Sequence, residues 1–389
     1  MPIISNHNPD DKLPTYIQNV IDGKTTTNFG RGIPVDDGNS PARTLIAEYR
    51  AIGPNELVNL SERSEYVGEF NLTPQHAANG LTVLELFCGG GLGAVGFKAA
   101  GFDIIKALDF DKNAVKAYRH NFGDHVEQAD ISTVDIESLA NTDVIFGGPP
   151  CQDFSVAGKG AGDDGERGKL VWRYLEIIER KQPKAFVFEN VKGLISKRHR
   201  ATFDALLAKF SEIGYEVSWQ LINAWDYGVA QKRERVFIVG TRKDLGFTFD
   251  FPKPTEGDYR TKVLRDVIGD LPDVSKYYYR HPRNYDRRGV FGIGEVSPTV
   301  RTVNRPVPPG YPGHPKDANW NNVSTTHPIG PPRRLSVREC LRIQSVPDTY
   351  VLPDDISLSA QYRIVGNGIA SRVAWYIGLA LADQLKENA

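Results

Sequence analysis

The stretch LELFCGGGLGAVGFKAAGF at 84–102, followed by the apolar run 103–108, is the most informative part of the chain. It predicts a strand, a glycine turn, a helix and a second strand. The glycines at 89–91 let the backbone approach a ligand closely, and a helix N-terminus behind them favours polar or anionic groups. Asp109, directly after the second strand, is placed to bind ribose hydroxyls. A plain tight turn is the alternative, and the pattern alone does not choose among NAD, FAD and S-adenosylmethionine.

Apolar runs and helical patterns continue to alternate beyond this stretch. The predicted strands are 82–87, 103–108, 143–146, 185–189 and 235–239. The predicted helices, which carry apolar residues at helical spacing, are 111–121, 169–181 and 203–213. This alternation is typical of a parallel sheet covered by helices. The sequence therefore predicts a doubly wound α/β domain over 81–243.

The composition describes an ordinary soluble chain of 389 residues, 40% hydrophobic and 24% charged, with a formal net charge of −1. Such a balance carries no nucleic-acid signature, so contact with DNA would need a local basic patch. No secretory pattern opens the chain and no apolar run approaches a membrane span, which predicts a cytoplasmic protein without membrane contact. Cys88, Cys151 and Cys340 are far apart and form no CxxC pair, which disfavours a disulfide framework or a zinc site.

Three further regions flank this predicted domain. Residues 1–80 form an N-terminal extension that opens with a polar arm of disordered composition. Residues 244–332 are rich in Pro, Gly, Tyr and Arg, which predicts a smaller, irregular, β-rich domain. A capping-box sequence, Ser336-Val-Arg-Glu339, predicts the start of a helix in the C-terminal region 333–389.

A second constrained loop, GGPPCQDFS at 147–155, follows the apolar strand DVIF. Its glycines and prolines fix the backbone at the carboxyl end of a strand, where open α/β sheets place their ligands. Cys151 follows them directly and is predicted to be a nucleophile, whereas Cys88 and Cys340 are predicted to be small buried hydrophobes. A thiolate suits addition to an electron-poor ring. Addition at C6 of a cytosine would turn C5 into an enamine carbon that can attack a methyl sulfonium.

Two charged motifs could assist that addition. FVFEN at 186–190 ends a strand with Glu189, whose carboxyl could hold a proton on N3 and accept from the exocyclic amine. A helix-capping or lysine-paired acid is the alternative. QKRERVFIVG at 231–240 places Arg233 and Arg235 on one side of an extended segment, where they could clamp the cytosine carbonyl and the catalytic loop. An exposed, salt-bridged edge is the alternative there.

Together these motifs resemble, in order from about 81 to 379, the DNA (cytosine-5)-methyltransferase family of bacterial restriction-modification systems. The motifs that carry the resemblance are Phe87-Cys-Gly89-Gly-Gly91, Pro149-Pro150-Cys151-Gln152, Glu189-Asn190-Val191, Gln231 with Arg233 and Arg235, RRLSVRECLRIQSVPD at 333–348 and QYRIVGNGI at 361–369. The sequence departs from the family pattern at Leu92 and Gly93, at Asp153, and after Ile369, where the usual proline is missing.

The resemblance implies a Rossmann-like, S-adenosylmethionine-dependent methyltransferase. It would methylate carbon 5 of a cytosine flipped out of a specific double-stranded DNA sequence, through a covalent Cys151 adduct. The implied catalytic residues are Cys151, Glu189, Arg233 and Arg235. The implied cofactor residues are Phe87, Gly89, Gly91, Asp109, Phe110, Asp130, Ile131, Pro149, Leu170 and Asn367. We expect no metal, a monomer, and a restriction endonuclease as a partner by genetic pairing only.

The family places its variable target-recognition domain between Arg235 and Arg334. Within it, 276–305 carries seven basic residues against two acids, with tyrosines interleaved. This composition suits contacts with phosphates and base edges, and a solvated basic loop is the alternative. The predicted DNA-binding residues are Arg280, Arg283, Arg287, Arg288, Arg301 and Arg305.

Three other functions compete with this interpretation. His125-Val-Glu127 and the later Pro150-Cys151 match part of the zinc cytidine deaminase signature, but Phe154 stands where a ligand cysteine is needed. A catalytically dead DNA-binding relative would not need to retain Cys151 and Glu189. A minority of the family methylates tRNA, which would not require so long a variable domain, so DNA is favoured.

Overall fold

The computed structural model describes residues 68–150, 166–318 and 332–388. Within these residues a seven-stranded sheet has the order β3-β2-β1-β4-β5-β8-β6. Its strands are β1 Thr82–Leu86, β2 Asp103–Asp109, β3 Val126–Gln128, β4 Val144–Gly147, β5 Ala185–Val191, β6 Tyr215–Asn223 and β8 Glu234–Arg242. All the strands predicted from the sequence are present, whereas β3 and β6 were not predicted.

Strand direction creates a binding crevice in this sheet. Strands β3, β2, β1, β4 and β5 are parallel. The chain moves outward from β1 through β2 to β3, and then returns to β4 on the other side of β1. Open α/β sheets bind ligands beyond the carboxyl ends of the strands at such a reversal. Strand β8 interrupts the predicted parallel sheet, because it runs antiparallel to both β5 and β6.

Helices cover both faces of the sheet. They are α1 Leu92–Ala99, α2 Lys112–Phe122, α3 Glu166–Lys181, α4 Arg200–Glu212 and α8 Ser371–Glu387, while α7 Leu358–Asn367 packs on other helices. Val83 and Val187 face α1 and α8, whereas Leu84 and Phe186 face α3 and α4. Because both faces are buried, the central strands are apolar at consecutive positions rather than at alternate ones.

The smaller region between β8 and the C-terminal helices is irregular, as predicted. Among the described residues it contains a three-stranded sheet, β10-β9-β12, and β11 pairs in parallel with β7 of the catalytic region. Its own elements are α5 Leu264–Ile268, β9 Tyr277–Tyr279, β10 Val290–Gly292 and β11 Ser297–Pro298, whereas β7 Gln231–Lys232 directly precedes β8, and β12 Arg333–Arg334 and α6 Val337–Ile343 belong to the C-terminal region. Short 3₁₀ turns lie at Lys192–Ile195, Ala224–Tyr227 and Lys243–Leu245.

Helix α6 begins as the capping box predicts. The Glu339 N–H donates to the Ser336 hydroxyl at 3.2 Å, and the Ser336 N–H donates to the Glu339 carboxylate at 2.7 Å. These two bonds satisfy donors that the first helical turn leaves without an intrahelical partner. The local sequence therefore determines where this helix starts.

The segment before β1 packs on the core. Phe70 and Leu72 contact the apolar cluster around α6 and α7, and the Asp348 N–H donates to the Phe70 carbonyl at 2.9 Å. Residues 68–80, assigned from sequence to the N-terminal extension, therefore contribute to the domain. The polar arm expected at the start of the chain lies outside the described residues.

One helical stretch, Leu358–Glu387, is long and apolar enough to cross a membrane by length and composition alone. Of its qualifying window, 67% is buried inside the protein. Helix α8, which forms most of this stretch, packs against α1 in the apolar core. The apolar face of this helix is therefore accounted for by core packing.

Candidate active site

A cleft of about 1020 Å³ lies at the carboxyl ends of β1, β2, β4 and β5. Its volume suits a cofactor-sized ligand. All ten predicted cofactor residues are in the described part of the chain, and nine of them line the cleft: Phe87, Gly89, Asp109, Phe110, Asp130, Ile131, Pro149, Leu170 and Asn367. Glu189 and Arg235 line it as well. The fold thus gathers residues that are spread over most of the chain.

Gly91, the tenth of these residues, does not line the cleft and has a structural role. It precedes α1 with a φ of 84°, and a Cβ there would lie 2.4 Å from the Phe122 ring. Its N–H donates to the Cys88 carbonyl at 2.9 Å and closes the turn. Gly91 therefore allows the turn and the close approach of α2, rather than lining the cleft.

Asp109 fixes the glycine turn against β2. Its carboxylate accepts from the Gly89 N–H and from the Asp111 N–H, each at 2.8 Å. Burial raises the pKa of Asp109, while the backbone N–H groups act in the opposite direction. The next residue, Phe110, is 72% exposed, an unusual state for so large an apolar ring.

The adenine-edge candidates lie in a loop that α3 supports. Asp130 accepts from the Ser132 N–H at 2.9 Å and from its hydroxyl at 2.7 Å. Ile131 is buried, and its carbonyl accepts from the Arg173 guanidinium at 3.1 Å. The turn therefore has a fixed shape at the wall of the cleft.

Glu189 and Arg235 form the charged pair of the cleft. Glu189 is buried near the end of β5, and its carboxylate accepts from Nε of Arg235, on neighbouring β8, at 2.8 Å. Burial raises the pKa of Glu189, and the positive charges of Arg235 and Arg233 oppose that shift. A carboxyl that is oriented by a guanidinium and retains its proton above its ordinary pKa can act as a general acid.

Asn190 supports the neighbouring loop. Its side-chain amide donates to the Pro149 carbonyl at 3.0 Å in a buried position. Pro150 lines the cleft, and the chain then continues to Cys151, which lies outside the described residues. Asn190 had no predicted role of its own, although an amide at the buried end of an apolar strand is a signal for such a contact.

Arg233 is more deeply buried than Arg235 and directly precedes β8, which begins at Glu234. Its side chain is 2% exposed and is absent from the lining of the cleft. Burial lowers the pKa of Arg233 to about 9, and the charge of Arg235 adds to this effect. Between β7 and β8 the Arg233 N–H donates to the Gln231 carbonyl at 3.0 Å, and exposure still alternates over 231–235, with the side chains of 232 and 234 exposed.

Glu85 lines the cleft but was not selected from the sequence. It lies within β1 at 2% exposure and accepts from the Tyr118 hydroxyl at 3.1 Å. Burial raises the pKa of Glu85 to about 8, the bond from Tyr118 lowers it, and the charge of Asp109 raises it. The available signal was an acid inside the apolar run LELF.

We expect Glu85 to make the stability of the ligand-free protein pH-dependent. Its pKa is about 8 in the folded chain against an ordinary value of 4.5, so the folded state binds this proton more tightly. The stabilisation is complete below pH 4.5 and is lost as the pH rises through 8. The melting temperature should therefore fall more steeply between pH 5 and pH 8 in wild type than in Glu85→Gln.

A matched control is Glu127→Gln, because Glu127 is an exposed carboxylate that pairs with Lys106 at the sheet edge. The melting temperature of Glu127→Gln should change with pH as steeply as that of wild type. Equal slopes for wild type and Glu85→Gln would show that Glu85 does not titrate in this range.

The six predicted DNA-binding arginines fall into different environments. Arg283, Arg287 and Arg305 are exposed, and no ion pair within the described residues involves them. Burial lowers the pKa of Arg280 to about 10, with further lowering from the charges of Arg301, Arg283 and Arg287. These guanidinium groups are therefore close enough to repel one another, and an anionic ligand would relieve that repulsion.

The Arg288 guanidinium already has hydrogen-bond partners within the protein. Its guanidinium donates to both carboxylate oxygens of Glu295 at 2.8 Å, and to the Val290 carbonyl at 2.8 Å. It also lies 4.2 Å from the centre of the Phe291 ring. Arg288 therefore stabilises the small sheet, and its prediction as a DNA contact loses support.

The deaminase-like residues do not converge on the cleft. His125 lies 3.4 Å from the Tyr118 hydroxyl, and Glu127 pairs with Lys106 at 2.6 Å. Neither residue lines the cleft that Pro150 lines. The partial match to the deaminase signature is therefore not reproduced in space.

Comparison with known proteins agrees with this geometry. Residues 81–383 match the family model described as C-5 cytosine-specific DNA methylase. Type II methyltransferase M.FnuDI of Fusobacterium nucleatum is 36% identical over 333 residues, covering 79% of this chain and 96% of that protein. Type II methyltransferase M.MthTI of Methanothermobacter thermautotrophicus is 35% identical over 320 residues, covering 76% and 94%.

Solved structures share the fold at low identity. The crystal structure of S. pombe Dnmt2 methyltransferase has a TM-score of 0.60 and 18% identity, covering 79% of this chain and 99% of that one. The fold is that of a Rossmann-like methyltransferase. The chain belongs to the C-5 cytosine-specific DNA methylase family and is a DNA (cytosine-5)-methyltransferase.

Proposed function

We propose that this protein methylates carbon 5 of a cytosine in a specific double-stranded DNA sequence, with S-adenosylmethionine as donor and Cys151 as covalent nucleophile. The observation that carries the proposal is the Glu189–Arg235 pair in a cleft whose other wall is a nucleotide-type glycine turn. The relatives are named Type II methyltransferases, which supports a role in a restriction-modification system. A cytoplasmic location and genetic pairing with an endonuclease belong to the same proposal.

The lining of the cleft fits S-adenosylmethionine. The exposed Phe110 ring offers a stacking face for adenine. The carboxylate oxygens of Asp109 each accept one backbone N–H, which leaves lone pairs for ribose hydroxyls. Asp130 and Ile131 would bound the adenine edge, with Leu170 and Asn367 on further walls. When bound, the cofactor supplies an electrophilic methyl group.

The residues of this chain would prepare the cytosine carbon for that methyl group. The Cys151 thiolate forms a bond to C6 while Glu189 places its proton on N3, so the ring electrons move to C5. C5 would then be nucleophilic enough to take the methyl group that bound S-adenosylmethionine would supply as its sulfur–methyl bond breaks. Loss of the C5 proton to solvent base, departure of the thiolate and return of the N3 proton to Glu189 restore the aromatic ring and the starting state of the enzyme. The base must leave the duplex first, because stacking hides C6.

The DNA would contact the exposed arginines of the recognition region. Arg283, Arg287 and Arg305 face solvent and lie near Arg280 and Arg301. Guanidinium groups suit phosphate oxygens, since a planar fork can donate two parallel bonds. This group of five arginines provides the local basic patch that a chain of net charge −1 needs.

Substitutions of two neighbouring arginines, Arg287 and Arg288, provide a paired test of this DNA-binding surface. Arg287→Ala should weaken DNA binding and reduce the slope of log Kd against log salt concentration by about 1, as for one lost phosphate contact. Arg288→Ala should leave the slope unchanged and lower the melting temperature, because Glu295 loses its partner. Binding by fluorescence anisotropy at several salt concentrations measures both. The reverse pattern would mean that Arg288 faces DNA.

The function itself is tested by methyl transfer from labelled S-adenosylmethionine to double-stranded DNA and to tRNA, followed by bisulfite sequencing of DNA from expressing cells. We expect label in DNA, at cytosine C5, within one short sequence. Label in tRNA alone would refute the DNA substrate. Binding of both cofactor and DNA without transfer would indicate a catalytically dead relative.

A further inference from the structure

One buried guanidinium joins the cofactor cleft to the recognition region. The Arg233 side chain donates to the Gly366 carbonyl at 3.1 Å and to the Gly368 carbonyl at 2.8 Å. These carbonyls flank Asn367, which lines the cleft. The same guanidinium donates to the Val300 carbonyl at 3.3 Å, in the segment that leads into the arginine group.

A second route, a chain of side-chain hydrogen bonds, connects Val300 with the residues around Asn367. The Gln231 side chain accepts from the Val300 N–H at 2.7 Å and donates to the Gln344 side chain at 2.9 Å. Gln344 in turn donates to the Val365 carbonyl at 2.9 Å and to the Gly368 carbonyl at 3.2 Å. Both backbone groups of Val300 are therefore held by side chains that end on the C-terminal turn of α7 and the following Gly368, here called the Asn367 loop.

The two segments also touch directly. A Cβ on Gly366 would lie 2.3 Å from the backbone of Arg301 and of Thr302, so only glycine permits this approach. Arg301 donates to the His281 carbonyl at 3.0 Å and belongs to the arginine group. A shift of the recognition segment would therefore displace the Asn367 loop, since packed backbones of this kind move together.

We propose that Arg233 is a positioning residue that couples cofactor binding to DNA binding by holding the Asn367 loop and the Val300–Arg301 segment as one unit. The inference rests on the proposed function, because it takes S-adenosylmethionine and DNA as the two ligands. Arg233 is 2% exposed and does not line the cleft, so it acts through the loop and not on the cytosine. The guanidinium fork suits three carbonyls in different directions, which a lysine ammonium matches poorly.

Coupling of this kind is reciprocal. DNA that fixes the recognition segment raises the affinity for the cofactor, and the cofactor raises the affinity for DNA by the same factor. Couplings between sites are typically about 5- to 150-fold. We expect a factor of roughly tenfold in wild type and below about twofold when the guanidinium is removed.

The test is calorimetry of the full chain with S-adenosylhomocysteine, alone and with a saturating duplex of the sequence found by bisulfite sequencing. Arg233→Gln should keep most of its affinity for S-adenosylhomocysteine alone and lose the increase caused by DNA. Arg233→Lys should restore part of that increase. In steady-state assays with saturating DNA, Arg233→Gln should raise KM for S-adenosylmethionine more than it lowers kcat.

Arg242→Gln is the matched control, because Arg242 lies at the end of β8 and pairs with Asp244 at the surface. It should retain the wild-type coupling. If Arg233→Gln does not fold, as judged by thermal melting, Gln231→Asn decides the question, because it breaks the second route and should also reduce the coupling.

The two proposals fail in different ways. Independent binding of both ligands in wild type, or full coupling in folded Arg233→Gln or Gln231→Asn, would overturn the role of Arg233 and leave the methyltransferase proposal intact. Failure of wild type to bind either ligand would overturn the proposed function and this inference with it.

Discussion

Replacement of Cys151 by alanine is expected to lower methyl transfer by about 10⁴-fold or more, as when an enzyme loses its nucleophile. Without sulfur at C6, carbon 5 of cytosine stays non-nucleophilic and cannot accept the methyl group. A duplex with 5-fluorocytosine at the target should form an adduct with wild type that survives a denaturing gel, because fluorine cannot leave as the C5 proton does. Cys151→Ala should form none, while its affinity for S-adenosylhomocysteine is retained.

Cys88 provides the sharpest control for this experiment. It is buried, yet it lines the cleft, so it is the rival nucleophile among the described residues. Burial raises the pKa of the Cys88 thiol well above its usual value, and the nearby carboxylates of Glu85 and Asp109 add to the shift. Thiolate is the reactive form, so Cys88→Ala should leave the adduct unchanged. An adduct that persists in Cys151→Ala and disappears in Cys88→Ala would reassign the nucleophile.

Glu189→Gln is expected to lower turnover by roughly 10²- to 10⁴-fold, the usual contribution of a positioned acid or base. The amide can still accept from Arg235, so the cleft should keep its shape and its affinity for S-adenosylhomocysteine. Glutamine has no acidic proton to place on N3, so attack at C6 loses its activation. Single-turnover methylation at saturating cofactor separates this chemical effect from binding.

The pH profile adds an independent check on Glu189. Burial raises its pKa, and the protonated form is the active acid. The wild-type rate should therefore fall as the pH rises through that raised pKa, and the residual rate of Glu189→Gln should not show this decline. Collapse of cofactor binding in Glu189→Gln would instead make the carboxyl a structural partner of Arg235.

The sequence by itself determined the features that depend on neighbouring residues. The glycine turn after β1, the capping box that starts α6, and the apolar strands that carry Asp109 and Glu189 each occupy a short stretch, so local backbone rules suffice to predict them. Burial of Cys88 and Cys340 was predictable because free cysteine is among the residue types most often buried. The order of six short motifs was enough to indicate the family, which the comparisons then showed.

Only the tertiary structure decided the roles of residues whose partners are distant in the chain. Arg233 and Arg235 are two positions apart in the sequence. The Arg233 guanidinium donates to the carbonyls of Val300, Gly366 and Gly368, whereas the Arg235 guanidinium donates to the Glu189 carboxylate. Glu85 was overlooked because its partner, Tyr118, lies on another element. Strand β8 is antiparallel because its direction follows from the path of the whole chain, which periodicity does not encode. Burial and charge pairing, which set these roles, are properties of the folded chain.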